Sequence, residues 1–172
     1  FCFLAYESVY GEERIDRRLK KLLRYLAKHY PIQRLYYPGS GAHAIPLEAL
    51  GEDKVFHVSL EENRQFVPGG YFERLNARNM IVADFRKSPF RDNFFDATLL
   101  WGTPPESTIE AIDEFIRVTK LEGLLIVEGS DFNIHRRFGR VRKILDKRFP
   151  RIKIPFYLGG IIRKIYVYMV IK

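Results

Sequence analysis

The spacing of hydrophobic and polar positions changes period several times along the chain, and each change predicts an element. Over residues 11–30, Ile15, Leu19, Leu22, Leu23 and Leu26 recur at helical spacing, while Arg14, Arg17, Arg18, Lys21, Arg24 and Lys28 fall mostly on other faces. This predicts an amphipathic helix, ended by Pro31 because the residue before a proline avoids the α region. Short apolar runs rich in β-branched or aromatic residues follow, at 34–37, 55–58, 80–83, 97–101 and 124–128. Several are almost continuously apolar, as expected of strands covered on both faces of a parallel sheet. Helical patterns lie between them at 44–50, 61–76 and 106–119, the last with Ile109, Ile112, Phe115 and Ile116 on one face.

The end of the chain has a different pattern. Residues 136–149 read as a basic helix with Phe138, Val141, Ile144 and Leu145 as its apolar side. Two β runs, 152–158 and 162–171, then flank Gly159-Gly160. A Gly-Gly pair between β runs predicts a hairpin, because glycine tolerates the positive φ of tight hairpin turns. Five βα units followed by an antiparallel pair make an α/β chain, a three-layer sandwich.

Composition bounds the picture. A length of 172 residues is one domain's worth, and an apolar fraction of 47% with 15% aromatic residues fills a core, which excludes disorder as the main state. No apolar run approaches the ~18 residues of a membrane span. Cys2 is the single cysteine, so an intrachain disulfide and a cysteine-based zinc site are excluded, and no metal site is expected. The opening FCFLAY has neither the flank nor the cleavage site of a signal peptide, which makes a cytoplasmic location the expectation. It also lacks Met, so further residues are expected before Phe1.

Charge is distributed unevenly. The net +8 is made of +3 over residues 1–30, −6 over 31–133 and +11 over 134–172. Residues 135–153 hold nine Lys or Arg and one Asp. Such a segment suits a polyanion, and Arg136, Arg137, Arg140, Arg142, Lys143 and Lys147 are the candidate contacts to RNA or DNA; a solvated cationic face is the other reading. Phe138 and Phe149 interleave with these charges at a spacing that also fits a core-facing stripe.

Three stretches carry candidate chemistry. In LYYPGSGAHA, residues 35–44, an apolar strand runs into Gly39-Ser40-Gly41 and then a helical pattern, a turn that lets a ligand approach the backbone and meet free amide groups. In ADFRKSPF and RDNFFDATLLWG, a strand ends in Asp84, Pro89-Phe90 follow, and a new strand opens at Phe95-Asp96. In EFIRVTKLEGLLIVEG, residues 114–129, a helix ends in Arg-Val-Thr-Lys, followed by a glycine turn and an apolar strand. GSGAHA has two glycines where a dinucleotide fingerprint needs three, and no P-loop motif is present.

The order of these pieces over residues 32–172, with the terminal hairpin, resembles the class I S-adenosylmethionine-dependent methyltransferases. The resemblance implies a Rossmann-like core over 32–172 within a single domain of residues 1–172, an N-terminal helical extension over 1–31, and a mostly parallel seven-stranded sheet with an antiparallel C-terminal hairpin. It implies S-adenosylmethionine as cofactor. Gly39, Ser40 and Gly41 would cradle its methionine part, and Ser59 and Leu60 would lie by the ribose. Asp84 would accept a hydrogen bond from the adenine amino group, beside Phe85; a carboxylate is acceptor-only and suits an exocyclic amine. Trp101 and Gly102 would lie near the sulfonium methyl.

The sequence departs from the family at three places. Tyr37 and Ser59 stand where the first two strands usually place acids, and His43 replaces the usual third glycine. Glu61 or Glu62 would be the substitutes for the ribose contact. Two readings stay open. One is a methyltransferase with a rearranged site, and the other is an inactive methyltransferase-like module that binds RNA, DNA or protein through its basic end. The stretch WGTPPEST after residue 100 differs from the Asn-Pro-Pro-Tyr or Asp-Pro-Pro-Tyr signature of base-methylating relatives, and the acceptor stays unnamed. Methyl transfer needs positioning more than a protein nucleophile. His43, His57 and His135 are candidate bases, and Glu106 reads first as a first-turn acid.

Overall fold

The computed structural model describes residues 2–40, 44–59, 79–101, 105–129, 140–144, 154–155 and 162–171. Helix α1, Cys2–His29, opens the chain, and β1, Leu35–Pro38, and α2, Ile45–Leu50, follow. Next come β2, Val55–Ser59; β3, Met80–Val82; β4, Phe95–Leu100; α3, Pro105–Val118; and β5, Thr119–Gly129. The short β6, Val141–Lys143, and β7, Ile154–Pro155, precede the long β8, Ile162–Val170.

These strands make one 8-stranded sheet in the order β3-β2-β1-β4-β5-β8-β6, with β7 paired to β8 off that path. Strands β1 to β5 run parallel, and β8 runs antiparallel to β5, β6 and β7. The seven expected strands correspond to β1 to β5, β7 and β8, with β7 only two residues long and off the main path, and β6 is an eighth strand that was not expected.

The side-chain period of two splits the core between the two faces of this sheet. On one face Leu35, Tyr37, Val55, Ala97, Leu99, Leu124, Ile126, Ile165 and Val167 pack against Leu19, Leu22, Leu23 and Leu26 of α1 and Leu47 of α2. On the other, Tyr36, Val58, Leu100, Leu125, Val127, Tyr166 and Tyr168 meet Ala111, Ile112, Phe115 and Ile116 of α3. Helices on both faces of the sheet give the expected three layers.

Several expectations need correction. The β3–β4 connection holds a single 3-10 turn, Phe85–Lys87, where a helix was expected to complete a βα unit. The rings of Phe85, Phe90 and Phe94 cover the sheet there instead, with Phe90 and Phe94 stacked at 5.8 Å and Phe94 edge-on to Phe95 at 4.9 Å. Strand β5 begins at Thr119, directly after α3, so the expected glycine turn is absent. Its register against β4 shifts between Phe95 and Ala97, and Glu122 takes a positive φ of 62°. Gly123 lies inside the strand, where a Cβ would fall 2.9 Å from the Asp96 carbonyl oxygen and 2.8 Å from that of Lys120.

The expected basic helix over 136–149 is broken by β6. Strand β8 has a second edge to satisfy, and Val141 to Lys143 pair with Val170 to Tyr168 along it. Backbone pairing outweighs the local helical pattern at these three residues. The hairpin forms in the expected sense, with Ile154 opposite Arg163 and Pro155 opposite Ile162. The expected helix over 61–76 and the Gly159-Gly160 turn lie outside the described residues. Among the described residues, no helix is long and apolar enough to cross a membrane.

Candidate functional site

Topology selects one edge of the sheet. From β1 the chain steps outward to β2 and β3, then crosses back to β4 and proceeds to β5 on the other side. The connections therefore leave β1 and β4 in opposite directions, and the crevice outside the carboxyl ends of these two strands is where open α/β sheets bind ligands. Leu35 lies opposite both Val55 and Ala97, and Leu100 opposite Val127, so the strand ends are level. Carrying these registers one step past Pro38, Leu100 and Val127 puts Ser59, Gly39, Trp101 and Glu128 in one row at that edge. Trp101 belongs to the α1-side core, and the alternation from Ile126 places Glu128 on the same face.

Gly39 has φ 63° and its amide donates to the Val58 carbonyl at 2.8 Å, so the chain turns sharply as it leaves β1. A residue with a Cβ would strain at this φ. Ser40 follows, 3% exposed, and its Oγ has no hydrogen-bond partner. A buried hydroxyl left unpaired costs about 1–3 kcal/mol, a cost that a water or a ligand at the crevice would remove. Helix α2 is only six residues long and starts with a proline in its first turn, so it offers fewer free amide groups than the sequence pattern promised.

Tyr37 is fully buried in the α1-side core, its ring 5.4 Å from that of His57 on the adjacent strand. Burial raises the pKa of its hydroxyl, and the carboxylates of Glu128 and Asp16 raise it further. Ser59 closes β2, half-buried, with its carbonyl accepting from the Ala83 amide at 2.9 Å. Trp101 is 8% exposed and closes the end of β4.

Asp84 follows β3 and caps the 3-10 turn after it. Its Oδ1 accepts from the Arg86 amide at 2.9 Å, and the Arg86 guanidinium holds both carboxylate oxygens at 2.8–3.1 Å. These bonds keep the Asp84 pKa below its ordinary value, the Arg86 side chain contributing most. Arg86 also reaches Glu110 of α3 at 3.6 Å. Phe85 turns toward α3, its ring 6.0 Å from Phe115.

The last motif proves to be scaffold. Glu114 accepts from the amide and hydroxyl of Ser88 at 2.8 and 2.7 Å and from Arg117 Nε and Nη2 at 2.7 and 2.6 Å. Arg117 donates onward to Asp92 and to the Phe90 carbonyl. Thr119 donates to the Phe115 carbonyl at 2.6 Å, so the 2.7 Å contact between the two hydroxyls has Thr98 as donor. Asp96 accepts from Lys120 and from the amides of Gln33 and Arg34. Together these bonds clamp the β3–β4 loop, the end of α3 and the entry to β1, away from the crevice.

The structure thus brings Gly39, Ser40, Ser59 and Trp101 to one edge, with Asp84 and Phe85 beyond the end of β3. Gly41, His43, Leu60, Glu61, Glu62, Gly102 and His135 lie outside the described residues, as does the Glu106 side chain. Of the basic segment, Arg140 and Arg142 are exposed, while Arg136, Arg137, Lys147 and the Lys143 side chain are outside the description. Asp16 and Glu128, whose charges act on the Tyr37 hydroxyl, are not singled out by the sequence. The signal for Glu128 was an acid directly ending the apolar run LLIV; Asp16 gave none beyond its place one turn before Leu19. Among the described residues no group of His, Cys, Asp and Glu could hold a metal ion.

No protein-family model and no curated protein matches the sequence. Solved structures do match the fold. The N-methyltransferase NodS from Bradyrhizobium japonicum superposes with a TM-score of 0.65 at 11% identity, over 94% of this chain and 97% of its own. A Burkholderia thailandensis 1,6-didemethyltoxoflavin-N1-methyltransferase, holding 1,6-didemethyltoxoflavin and S-adenosylhomocysteine, gives 0.66 at 12% identity over 98% and 83%. This chain has the class I methyltransferase fold. An rRNA methylase from Streptococcus thermophilus shares it, at 0.56 and 13% identity over 90% and 95%. In a methyltransferase fold the row Ser59, Gly39, Trp101 and Glu128 lies along the crevice at the strand ends.

Proposed function

We propose that the chain is an S-adenosylmethionine-dependent methyltransferase. The observation that carries this reading is the crevice at the carboxyl ends of β1 and β4, where a positive-φ glycine is followed by the buried, unpaired Ser40 hydroxyl. The residues present fit the cofactor: Gly39 admits close approach, Ser40 offers a hydroxyl that lacks a partner, and Ser59 ends the next strand with a second hydroxyl. When bound, the cofactor supplies an electrophilic methyl carbon on sulfonium sulfur. Trp101 excludes water from the end of β4, where transfer would occur, and Asp84 would hold the adenine amino group. The Arg86 fork already engages both Asp84 oxygens, so the amine would share the carboxylate with it.

Calorimetric titration with S-adenosylmethionine and S-adenosylhomocysteine tests the reading. Micromolar binding, about −8 kcal/mol, is expected. Replacing Asp84 with Ala should weaken it about tenfold, the value of one charge-assisted bond, with the fold retained. Absence of binding to folded protein would refute the reading, and an unchanged affinity in Asp84→Ala would refute the placement of adenine.

A further inference from the structure

Taking the cofactor reading as its basis, we propose that Arg86 is the positioning residue of base recognition: it fixes the Asp84 carboxylate so that a single acceptor position, on Oδ2, is left for the adenine amine. Asp84 stands two residues past β3, beyond the Ala83 amide that pairs with Ser59. Its Oδ1 accepts from the Arg86 amide at 2.9 Å and from Nε at 3.0 Å, which fills both acceptor positions of that oxygen. Oδ2 accepts from Nη2 at 2.8 Å and shares the same Nε proton at 3.1 Å. Both of those donors belong to one guanidinium on one side of the carboxylate, so the second acceptor position of Oδ2 stays open.

The guanidinium is itself held. Its Nη1 reaches Glu110 of α3 at 3.6 Å. One turn further along α3, Glu114 accepts from the amide and hydroxyl of Ser88 at 2.8 and 2.7 Å. Phe85 lies against Phe115 of the same helix, with ring centroids 6.0 Å apart. The turn after β3 is thus laid along α3 and braced by Phe85, Arg86 and Ser88. Stability does not account for the fork. The Arg86 and Asp84 side chains are 51% and 35% exposed, and an ion pair so exposed adds little to folding while it immobilises a long side chain. What the fork supplies is order in an acid that would otherwise rotate, and a group held in place before its ligand arrives binds at lower entropic cost. An open acceptor position suits an amine and rejects a ring carbonyl oxygen, which brings no proton.

Calorimetry on the full chain with two ligands tests the assignment. S-adenosylhomocysteine carries the adenine amine, and S-inosylhomocysteine has an oxygen in its place. Wild-type protein should bind the first about tenfold tighter. Arg86→Ala should cut that preference to about threefold or less, with a thermal midpoint close to that of wild type. Arg86→Lys, which keeps the charge and loses the fork, should behave as Arg86→Ala does. In an Asp84→Ala background, Arg86→Ala should change neither affinity by more than about twofold, because the residue through which Arg86 acts is gone. A structural role alone would weaken both ligands alike and would add to the effect of Asp84→Ala. Either of those results overturns the assignment, as does an undiminished preference in Arg86→Ala or Arg86→Lys. Equal affinity of wild-type protein for the two ligands, which needs no variant, overturns it too. Folded wild-type protein that binds neither ligand refutes the cofactor reading itself, a separable failure.

Discussion

Glu114 gathers four hydrogen bonds from Ser88 and Arg117 onto one half-buried carboxylate. The Arg117 bond, followed by those from Ser88, lowers its pKa below the ordinary carboxylate value against the effect of burial. A carboxylate with a depressed folded pKa stabilises the native state above its unfolded pKa, and the contribution is lost as pH falls through the folded value. Glu114→Ala should therefore cost about 2 kcal/mol in urea unfolding at neutral pH, leaving Ser88 and Arg117 short of an acceptor. Its gap from wild type should narrow in acid, as pH falls below the ordinary carboxylate value and through the depressed folded one. A gap independent of pH would show that packing dominates. Asp96 is balanced differently: burial pushes its pKa up, and Lys120 with the Gln33 and Arg34 amides more than reverses that.

Elements depend on partners that the local pattern does not reveal. Helix α1 was legible from its leucine stripe, and Leu19, Leu22, Leu23 and Leu26 are the residues it buries. Because these side chains share one core with β1, β4 and β5, Leu23→Ala should destabilise the whole protein, by about 2–5 kcal/mol. Chemical denaturation with a single transition is the expected outcome; loss of α1 in a separate early step would mean that the helix is only loosely attached. Strand β6 was illegible for the converse reason. Val141, Ile144 and Leu145 keep helical spacing with Phe138, yet the open edge of β8 offers backbone partners that a helix would leave unmet. The β3–β4 loop shows a third case, in which Phe85, Phe90 and Phe94 supply by ring packing what a helix would have supplied.

At the scale of the molecule, the net +8 with its excess at the C-terminal end bears on polyanions. Arg140 and Arg142 stand exposed at the end of the sheet. The protein should be retained on immobilised RNA or heparin at low ionic strength and released as salt rises, because released counterions drive such contacts. Reversing both charges, Arg140→Glu with Arg142→Glu, should lower the salt needed for elution. Elution unchanged by the pair would place any polyanion contact elsewhere on the chain.

The sequence by itself determined the layers. Continuous apolar runs call for cover on both faces, whereas which runs are neighbours, with β1 between β2 and β4, was decided by the tertiary structure. The sequence also determined which turn would carry Gly39 and Ser40, since the Gly-x-Gly pattern is local. Whether Ser40 kept an unpaired hydroxyl, and whether Asp84 stood free or held by Arg86, depended on atoms brought close by the fold. That the charges of Asp16 and Glu128 act on the Tyr37 hydroxyl was decided by the tertiary structure alone. Electrostatics and hydrogen bonds act over ångströms in space, and those three residues are joined through a helix and a sheet register that no spacing along the chain encodes.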